Sequence, residues 1–340
     1  MPRVSVILNC YNQAKYVAEA VESVLAQTYP DFELLAVDNG STDETPEILK
    51  RYEGHPKVRL FLNPDNLSIT RRFNQAVAEA KGEFVSFLYS DDYFLPEKLE
   101  RQVAYFDRLG PDYGAVYGPP RVFNDLTGRY WDRGSVAASG DVFERLCLDY
   151  ERGQIDMVSP LTRKACLVKY PFYEDIFAEG EAIFFRIALT FKFYFHEEPL
   201  AVLRDHANNA GKAVRWNAEM TQNTLDRLER HEDLRDADRP ALRAYRLALR
   251  RNHGWQAVRV GSDVRWARGQ FARAIGSSWR QAFYPRVMAG VLLSVLPEAL
   301  RARLNRFGNH VRRHQHNSLH VREVGGSAMQ SGRPAAAKRL

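Results

Sequence analysis

Two adjacent carboxylates, Asp91 and Asp92, end the apolar run in GEFVSFLYSDDYFLPEKLERQ, residues 82–102. Phe84 to Leu88 is short, β-branched and aromatic, with a glycine turn before it and acids after it. That pattern predicts a fully buried strand with both acids at its carboxyl end. In an open α/β sheet this edge is where ligands bind, in the crevice beyond the strand ends. Two hard oxygen donors on one short turn suit a divalent cation that also carries phosphate oxygens. For an isolated Asp-Asp pair the rival assignment is a solvated turn leading into a helix, which Pro96-Glu97-Lys98 opens with proline in its first turn. A third acid weighs against that rival: Asp38 follows another apolar run, Phe32 to Val37, and so falls on the same edge of the same sheet.

The elements that must position these acids follow from the apolar pattern. Val4 to Leu8 reads as a buried strand and Asn9-Cys10-Tyr11-Asn12 as a polar loop. Val17, Ala20, Val21, Val24 and Leu25 then recur at helical spacing until Tyr29-Pro30. After the Phe32 strand comes the turn Asp38 to Asp43, with Ser41 or Thr42 placed to cap the helix that Pro46 to Arg51 continues. Val58 to Leu62, Ile69 to Ala80 and the Phe84 strand complete an alternation that means a mostly parallel sheet with helices on both faces. A helix from Pro96 to Leu109 and a strand at Ala115-Val116-Tyr117 follow. Residues 118–139 are turn-rich, with a hairpin from Phe123 to Tyr130. Beyond them the pattern predicts helices at Asp141 to Tyr150 and Phe184 to Leu189, one or two strands within Phe193 to Leu203, and charged helix from Ala218 onward.

The 340 residues suffice for one large or two moderate domains with an ample core. Three scattered cysteines, Cys10, Cys147 and Cys166, are too few for a disulfide framework or a zinc site and suit a reducing, cytoplasmic setting. Met1-Pro2-Arg3 leads straight into a strand, so no signal peptide is expected. The net charge of +6 divides unevenly, into −10 for residues 1–240 and +16 for residues 241–340. A basic C-terminal region is compatible with anionic lipid, nucleic acid or an acidic protein surface, and no aromatic or basic pattern argues for base-specific nucleic-acid reading. Val287 to Leu296 is apolar, followed by Arg301, Arg303 and Arg306. It is too short to span a bilayer, which takes roughly 20 apolar residues, and reads either as a core helix or as an interfacial one that places the protein on the inner membrane face.

The segments VSVILNCYNQAKYVAEAVESVLAQTYPDFELLAVDNGSTDET, FNQAVAEAKGEFVSFLYSDDYFLPEKLERQ and, more loosely, EGEAIFFRIALTFKFYFHEEPLAVLRDH resemble the family 2 glycosyltransferases of the GT-A fold. The resemblance covers residues 3 to about 210. It implies a Rossmann-like donor half over residues 1–117 and an acceptor half over 118–212; beyond them, charge and composition predict a helical basic region over 213–313 and a polar, disordered tail over 314–340. It also implies that Asn9 and Tyr11 contact the nucleotide base, that Asp38 binds the base or ribose, and that Asp91 lies near the ribose. Asp92, with His206 closing over the diphosphate, would hold a Mn²⁺ or Mg²⁺ that stabilises the departing nucleoside diphosphate.

Two departures from the family pattern stand out. A further acid usual two residues before the Asp pair is Tyr89 here. The usual general base, an Asp six residues before the arginine that Arg186 matches, is Gly180. A general base must reach the acceptor hydroxyl within about 3 Å, and Glu181 is favoured to do so, with Glu179, Glu174 and Asp175 as competitors. The reading is an inverting, metal-dependent glycosyltransferase of cell-surface polysaccharide or glycoconjugate synthesis, acting on a saccharide or lipid-linked acceptor. Its rival is a nucleotide-sugar-binding protein that has lost its base. A nucleotidyltransferase fits less well, because Asn9-Cys10-Tyr11-Asn12 lacks the Gly-rich phosphate loop.

Overall fold

The computed structural model describes residues 1–305 apart from 177, 178, 207, 208, 210–213, 261 and 262. Arg306 and the expected tail lie outside the described residues.

Seven strands form the central sheet: β1 (Val4–Cys10), β2 (Phe32–Asn39), β3 (Val58–Asn63), β4 (Phe84–Tyr89), β6 (Tyr113–Tyr117), β9 (Leu161–Arg163) and β10 (Lys192–Phe195). Their spatial order is β10-β6-β9-β4-β1-β2-β3. The pairings are parallel except those of β9, which runs antiparallel to both neighbours. Every residue of β1 and β2 is buried, as expected of parallel strands covered on both faces. The covers are α1 (Val17–Leu25), α2 (Thr45–Lys50), α3 (Ile69–Glu79) and α4 (Lys98–Phe106) on the N-terminal side, then α5 (Phe143–Leu148), α6 (Lys164–Lys169) and α7 (Ile183–Ile187). A smaller sheet of order β5-β11-β7-β8 flanks the strand ends, from β5 (Tyr93–Phe94), β7 (Arg121–Asn124), β8 (Arg129–Asp132) and β11 (Ala201–Asp205).

Several boundaries differ from expectation for physical reasons. Strand β1 continues through Asn9 and Cys10, because β2 and β4 pair along it as far as Cys10↔Asp38 and Asn9↔Tyr89; the expected polar loop therefore starts at Tyr11. Ser41 and Thr42 do not cap α2. Asp43 Oδ1 accepts from the Thr45 amide there (3.0 Å), while Ser41 Oγ accepts from the Asn12 amide (2.9 Å) and the Thr42 amide donates to Asn12 Oδ1 (2.8 Å). Helix α4 starts at Lys98, two residues after Pro96, and Lys98 is fully buried, donating to Ser86 Oγ (2.9 Å) and Gln102 Oε1 (2.7 Å). Burial alone lowers that ammonium to about 7. Strands β5 and β9, of two and three residues, are too short to leave a periodic signal.

The C-terminal helices are α8 (Val214–Leu228), α9 (Arg239–Val260), α10 (Val264–Ser277) and α11 (Pro285–Val295). Leu225, Leu242, Tyr245 and Leu249 join the same apolar cluster as Phe184, Phe185 and Ile187, so the core runs across the expected 212/213 division. The second half of this region has its own cluster of Ala257, Val258, Ala267, Phe271 and Val287. A Cβ at Gly290 would sit 2.3 Å from the Phe271 ring, so only glycine lets α11 approach it this closely. Val287, Gly290 and Ser294 form the buried side of α11, while Met288, Leu292 and Val295 are exposed. The apolar segment is therefore a surface helix with one covered face. Among the described residues no helix is long and apolar enough to cross a membrane.

Candidate active site

The parallel register brings the expected donor residues to one edge. Cys10 pairs with Asp38 and Asn9 with Tyr89, so Asn9, Asp38 and the start of the Ser90-Asp91-Asp92 turn lie side by side at the carboxyl ends of β1, β2 and β4. Asp38 is 2% exposed, and its Oδ2 accepts from the amides of Gly40 (3.2 Å) and Ser41 (3.1 Å). Asp38 Oδ1 and Asn9 Oδ1 are buried acceptors without a protein partner. Such oxygens cost free energy unless a ligand or water satisfies them. The ring of Tyr11 is 42% exposed beside them, on a loop that the Asn12 contacts fasten to the Ser41-Thr42 turn. Arg72, unremarked in the sequence, donates to Asn39 Oδ1 (2.8 Å), Asn63 Oδ1 (3.0 Å) and the Asp65 carbonyl (2.7 Å), locking the carboxyl ends of β2 and β3 together.

The two adjacent acids point in different directions. Asp91 Oδ2 stands 3.0 Å from His206 Nε2 and 3.4 Å from Asn209 Nδ2. Asp92 is buried and its Oδ1 accepts from the Arg204 backbone amide at 2.8 Å. Burial, followed by the charge of Asp91, pushes the Asp92 carboxyl well above the ordinary carboxylate range. Arg204 organises this corner: it donates to the Asp91 carbonyl (3.0 Å), Asp125 Oδ1 (2.8 Å) and Glu19 Oε2 (2.5 Å), and Lys15 and Tyr16 hold the other oxygen of Asp125 at 2.7 Å each. Its position next to the sequence-selected Asp205-His206 was the available signal, but its partners are remote in sequence.

Among the described residues no three His, Cys, Asp or Glu side chains already form a metal cluster. Asp91 Oδ2 and His206 Nε2 are hydrogen-bonded to each other at 3.0 Å, and a carboxylate beside an imidazole is a donor set that suits a divalent ion such as Mn²⁺ bringing further oxygens of its own.

A second group of acids lies on the segment that leads into α7. Glu179 is fully committed: Arg186 Nε and Nη2 donate to its two oxygens (2.9 and 2.8 Å), and the Tyr173 amide adds a bond to Oε2 (2.8 Å). Glu174 receives Arg71 Nε (3.1 Å) and Asn74 Nδ2 (3.1 Å), while Asp175 pairs with Arg227. Glu181 makes no such ion pair and lies exposed at the mouth of the cavity it lines with Gln154, Ile155 and Tyr245. The walls of the crevice reduce its hydration and raise its carboxyl above the ordinary value, with the charge of Asp156 adding to the effect. Gly180 precedes it at φ +54°, a conformation that favours glycine, and a Cβ there would meet nothing within 4 Å.

Asp156 and Arg133 escaped the sequence analysis. Asp156 is 5% exposed; its Oδ1 accepts from the amides of Val158 (3.0 Å) and Ser159 (2.8 Å), and its Oδ2 is buried without a partner. Burial raises its carboxyl, opposed first by the charge of Arg133. The Tyr89 hydroxyl, raised mainly by burial, also feels the charges of Glu181, Asp92, Asp91 and Asp156.

Residues 5–164 match the model of glycosyl transferase family 2. The putative glycosyltransferase EpsE of Bacillus subtilis is 36% identical over 109 residues, covering 32% of this chain and 39% of that protein. Across this and two uncharacterized glycosyltransferases of Rickettsia, the chain spans 31% to 39% of the relatives' length. Among solved structures, S. aureus TarS 1-349 in complex with UDP-GlcNAc superposes with TM-score 0.58 at 19% identity, over 95% of this chain and 93% of that one. The mannosyltransferase PcManGT of Pyrobaculum calidifontis, in complex with GDP-Man and Mn²⁺, superposes with TM-score 0.59 at 18% identity, over 90% and 87%. These neighbours share the GT-A fold.

Proposed function

From the premise that residues 5–164 belong to glycosyl transferase family 2 and fold as a GT-A domain, we propose that this protein is an inverting glycosyltransferase using a nucleotide-diphosphate sugar. The observation that carries the reading is the pair of unsatisfied buried oxygens, Asn9 Oδ1 and Asp38 Oδ1, on adjacent strand ends beside the Asp91–His206 pair. The oxygens match donors on a base or ribose, and Tyr11 offers a ring face for stacking.

The expected division between the two acids is reversed in this proposal. Asp91 and His206 hold the divalent cation with the diphosphate, while Asp92 braces the Arg204 amide that positions His206. When bound, Mn²⁺ or Mg²⁺ supplies Lewis-acid stabilisation of charge on the leaving nucleoside diphosphate. Glu181 takes the proton from the acceptor hydroxyl. Its carboxyl, raised mainly by desolvation, is a stronger base than that of an ordinary glutamate. Gly180 favours the rival, a binding protein without a base, and Glu181 answers it because the competing acids are engaged in ion pairs.

The proposal extends to the acceptor and the C-terminal region. Residues 118–212 shape the acceptor site, α8 and α9 pack against them through Leu225, Leu242 and Tyr245, and a lipid-linked acceptor of polysaccharide or glycoconjugate synthesis suits docking on an anionic membrane. The support is the set of outward side chains Trp279, Phe283, Met288, Leu292 and Val295, each 49% to 68% exposed, with Arg303 exposed shortly after them; of the other two expected arginines, Arg301 is buried, donating to the Leu296 carbonyl (3.4 Å), and Arg306 lies outside the described residues. Turnover of a panel of nucleotide sugars, read as release of the nucleoside diphosphate with and without saccharide, tests the central reading. No release from any member would overturn it.

A further inference from the structure

We propose that Trp131, Arg133 and Asp156 form the acceptor-saccharide subsite, with a pyranose ring lying on the indole and one of its hydroxyls donating to Asp156 Oδ2. The inference deepens the glycosyl-transfer reading and, as far as the reaction goes, rests on it.

Strand alternation fixes which way the indole points. On β8, Tyr130 and Asp132 face one side: the Tyr130 ring lies 4.7 Å from Phe123 and its hydroxyl 3.0 Å from that of Tyr93, while Asp132 binds Arg121 at 2.8 Å. Side chains alternate along a strand, so Trp131 faces the opposite side. Arg133 continues the ladder, its amide donating to the Pro120 carbonyl at 3.0 Å, and shares the face of Trp131 two residues on. The chain around Arg133 runs beside the acids: Ser135 Oγ donates to the Gln154 carbonyl (3.4 Å), two residues before Asp156, Ser159 Oγ donates to the Gly118 carbonyl (2.6 Å), two residues before Pro120, and Glu181 lines one cavity with Val136, Gln154 and Ile155.

The chemistry of the three groups matches a sugar. Trp131 is 45% exposed and offers a broad apolar plane for the C–H face of a pyranose. Arg133, exposed, brings fixed donors for hydroxyl or ring oxygens. Asp156 Oδ2 is an acceptor with no protein partner on a residue 5% exposed, a site that a hydroxyl donor would satisfy. Such a mix of one apolar wall and a few convergent polar groups is the usual make-up of a small-molecule site.

The sheet order assigns this sugar to the acceptor. The nucleotide-facing residues belong to β1 and β2, on one flank of β4; Asp156 leads into β9, on the other flank. Glu181, which must touch the attacking hydroxyl, is on the side of Asp156 and Arg133.

Binding and transfer are read separately. Saturation-transfer NMR with an oligosaccharide panel, on the full chain with a nucleoside diphosphate present, reports binding; the nucleotide-sugar assay reports transfer. Trp131→Ala and Asp156→Asn, the latter keeping the Oδ1 acceptor for Val158 and Ser159, should each weaken saccharide binding about 10- to 100-fold. Nucleotide affinity should stay at its wild-type value in both. Saccharide binding that is absent in the wild type, unchanged in both variants, or lost together with nucleotide binding would overturn the subsite. Saccharide binding that follows the proposal in a protein that turns over no nucleotide sugar would support the subsite and overturn the transfer reading alone.

Discussion

Glu181→Gln separates the chemical from the architectural role of the acids around Gly180. Glutamine keeps the size and a hydrogen-bond acceptor but cannot take a proton, so turnover with a saccharide acceptor should fall roughly 10²- to 10⁴-fold. That loss corresponds to about 2.7–5.5 kcal/mol of barrier. Donor affinity and thermal stability should hold, because Glu181 makes none of the ion pairs that anchor its neighbours. Glu179→Gln should behave in the opposite way. Its carboxylate and Arg186 are 0% and 3% exposed and 2.7 Å apart, and removing one partner of a buried pair costs about 3–5 kcal/mol. The expected signature is a large drop in Tm. Two further readouts sharpen the test. The acid limb of kcat/KM should lie above the ordinary glutamate value of about 4.3, since Glu181 is raised, and should vanish in the glutamine variant. Gly180→Asp in the Glu181→Gln background should restore part of the rate, because the position is open and Asp tolerates positive φ at a cost of about 1–2 kcal/mol. Full activity of Glu181→Gln would refute the assignment outright. A loss confined to Glu179→Gln, with Tm unchanged, would move the base to Glu179.

Chelation should abolish turnover and Mn²⁺ or Mg²⁺ restore it; Asp91→Ala should raise the Mn²⁺ needed for half-activity at least about tenfold, whereas Asp92→Asn should leave that requirement in place, and a reversed pattern in metal titrations would return the metal to Asp92. Calorimetry with the nucleoside diphosphate should show Asp38→Ala losing roughly 1.5–3 kcal/mol of affinity, the worth of a hydrogen bond to a charged group; equal affinities would put the nucleoside elsewhere. Asp156 is held above the ordinary carboxylate value of about 3.9 in the fold, so its destabilising effect is complete above its folded pKa and fades as pH falls through it; Asp156→Asn should raise Tm more at pH 8 than at pH 5, and an equal gain at both would contradict that burial penalty. The full chain should pellet with anionic vesicles and not with neutral ones, and about 1 kcal/mol per arginine near the surface should make binding fall with salt; pelleting that ignores lipid charge would rule out the electrostatic anchor.

The sheet was legible because its strands are buried on both faces and so appear as unbroken apolar runs. Phe32 to Val37 and Phe84 to Leu88 each lie within an observed strand. What pattern alone missed was cross-chain pairing. Strand β9 has three residues and exists because β4 and β6 need a partner between them. Asn9 reads as loop polarity but is strand, since the ladder with β4 reaches as far as Tyr89. Lys98 looks like a solvated helix start, yet its ammonium is taken up by Ser86 and Gln102, a satisfaction that no single-sequence rule sees.

The same distinction explains the site. Asp38, Asp91 and Asp92 could be picked out because each follows an apolar run directly, and the position of a strand end is a one-dimensional fact. Which of two adjacent carboxylates faces the ligand is a three-dimensional one. The proposed answer rests on the Arg204 amide, which donates to Asp92 from 112 residues away. Asp156 carries no local mark at all; its unpartnered oxygen is visible only once Arg133 and Glu181 stand around it. The proposed slip of the base from Gly180 to Glu181 follows the same logic. The Glu179–Arg186 ion pair fixes where the backbone enters α7, so a base cannot move by shifting the helix. It can move only by changing which side chain leaves the anchored turn toward the crevice. A left-handed glycine followed by a side chain one methylene longer than aspartate redirects the carboxylate while the anchor stays in place.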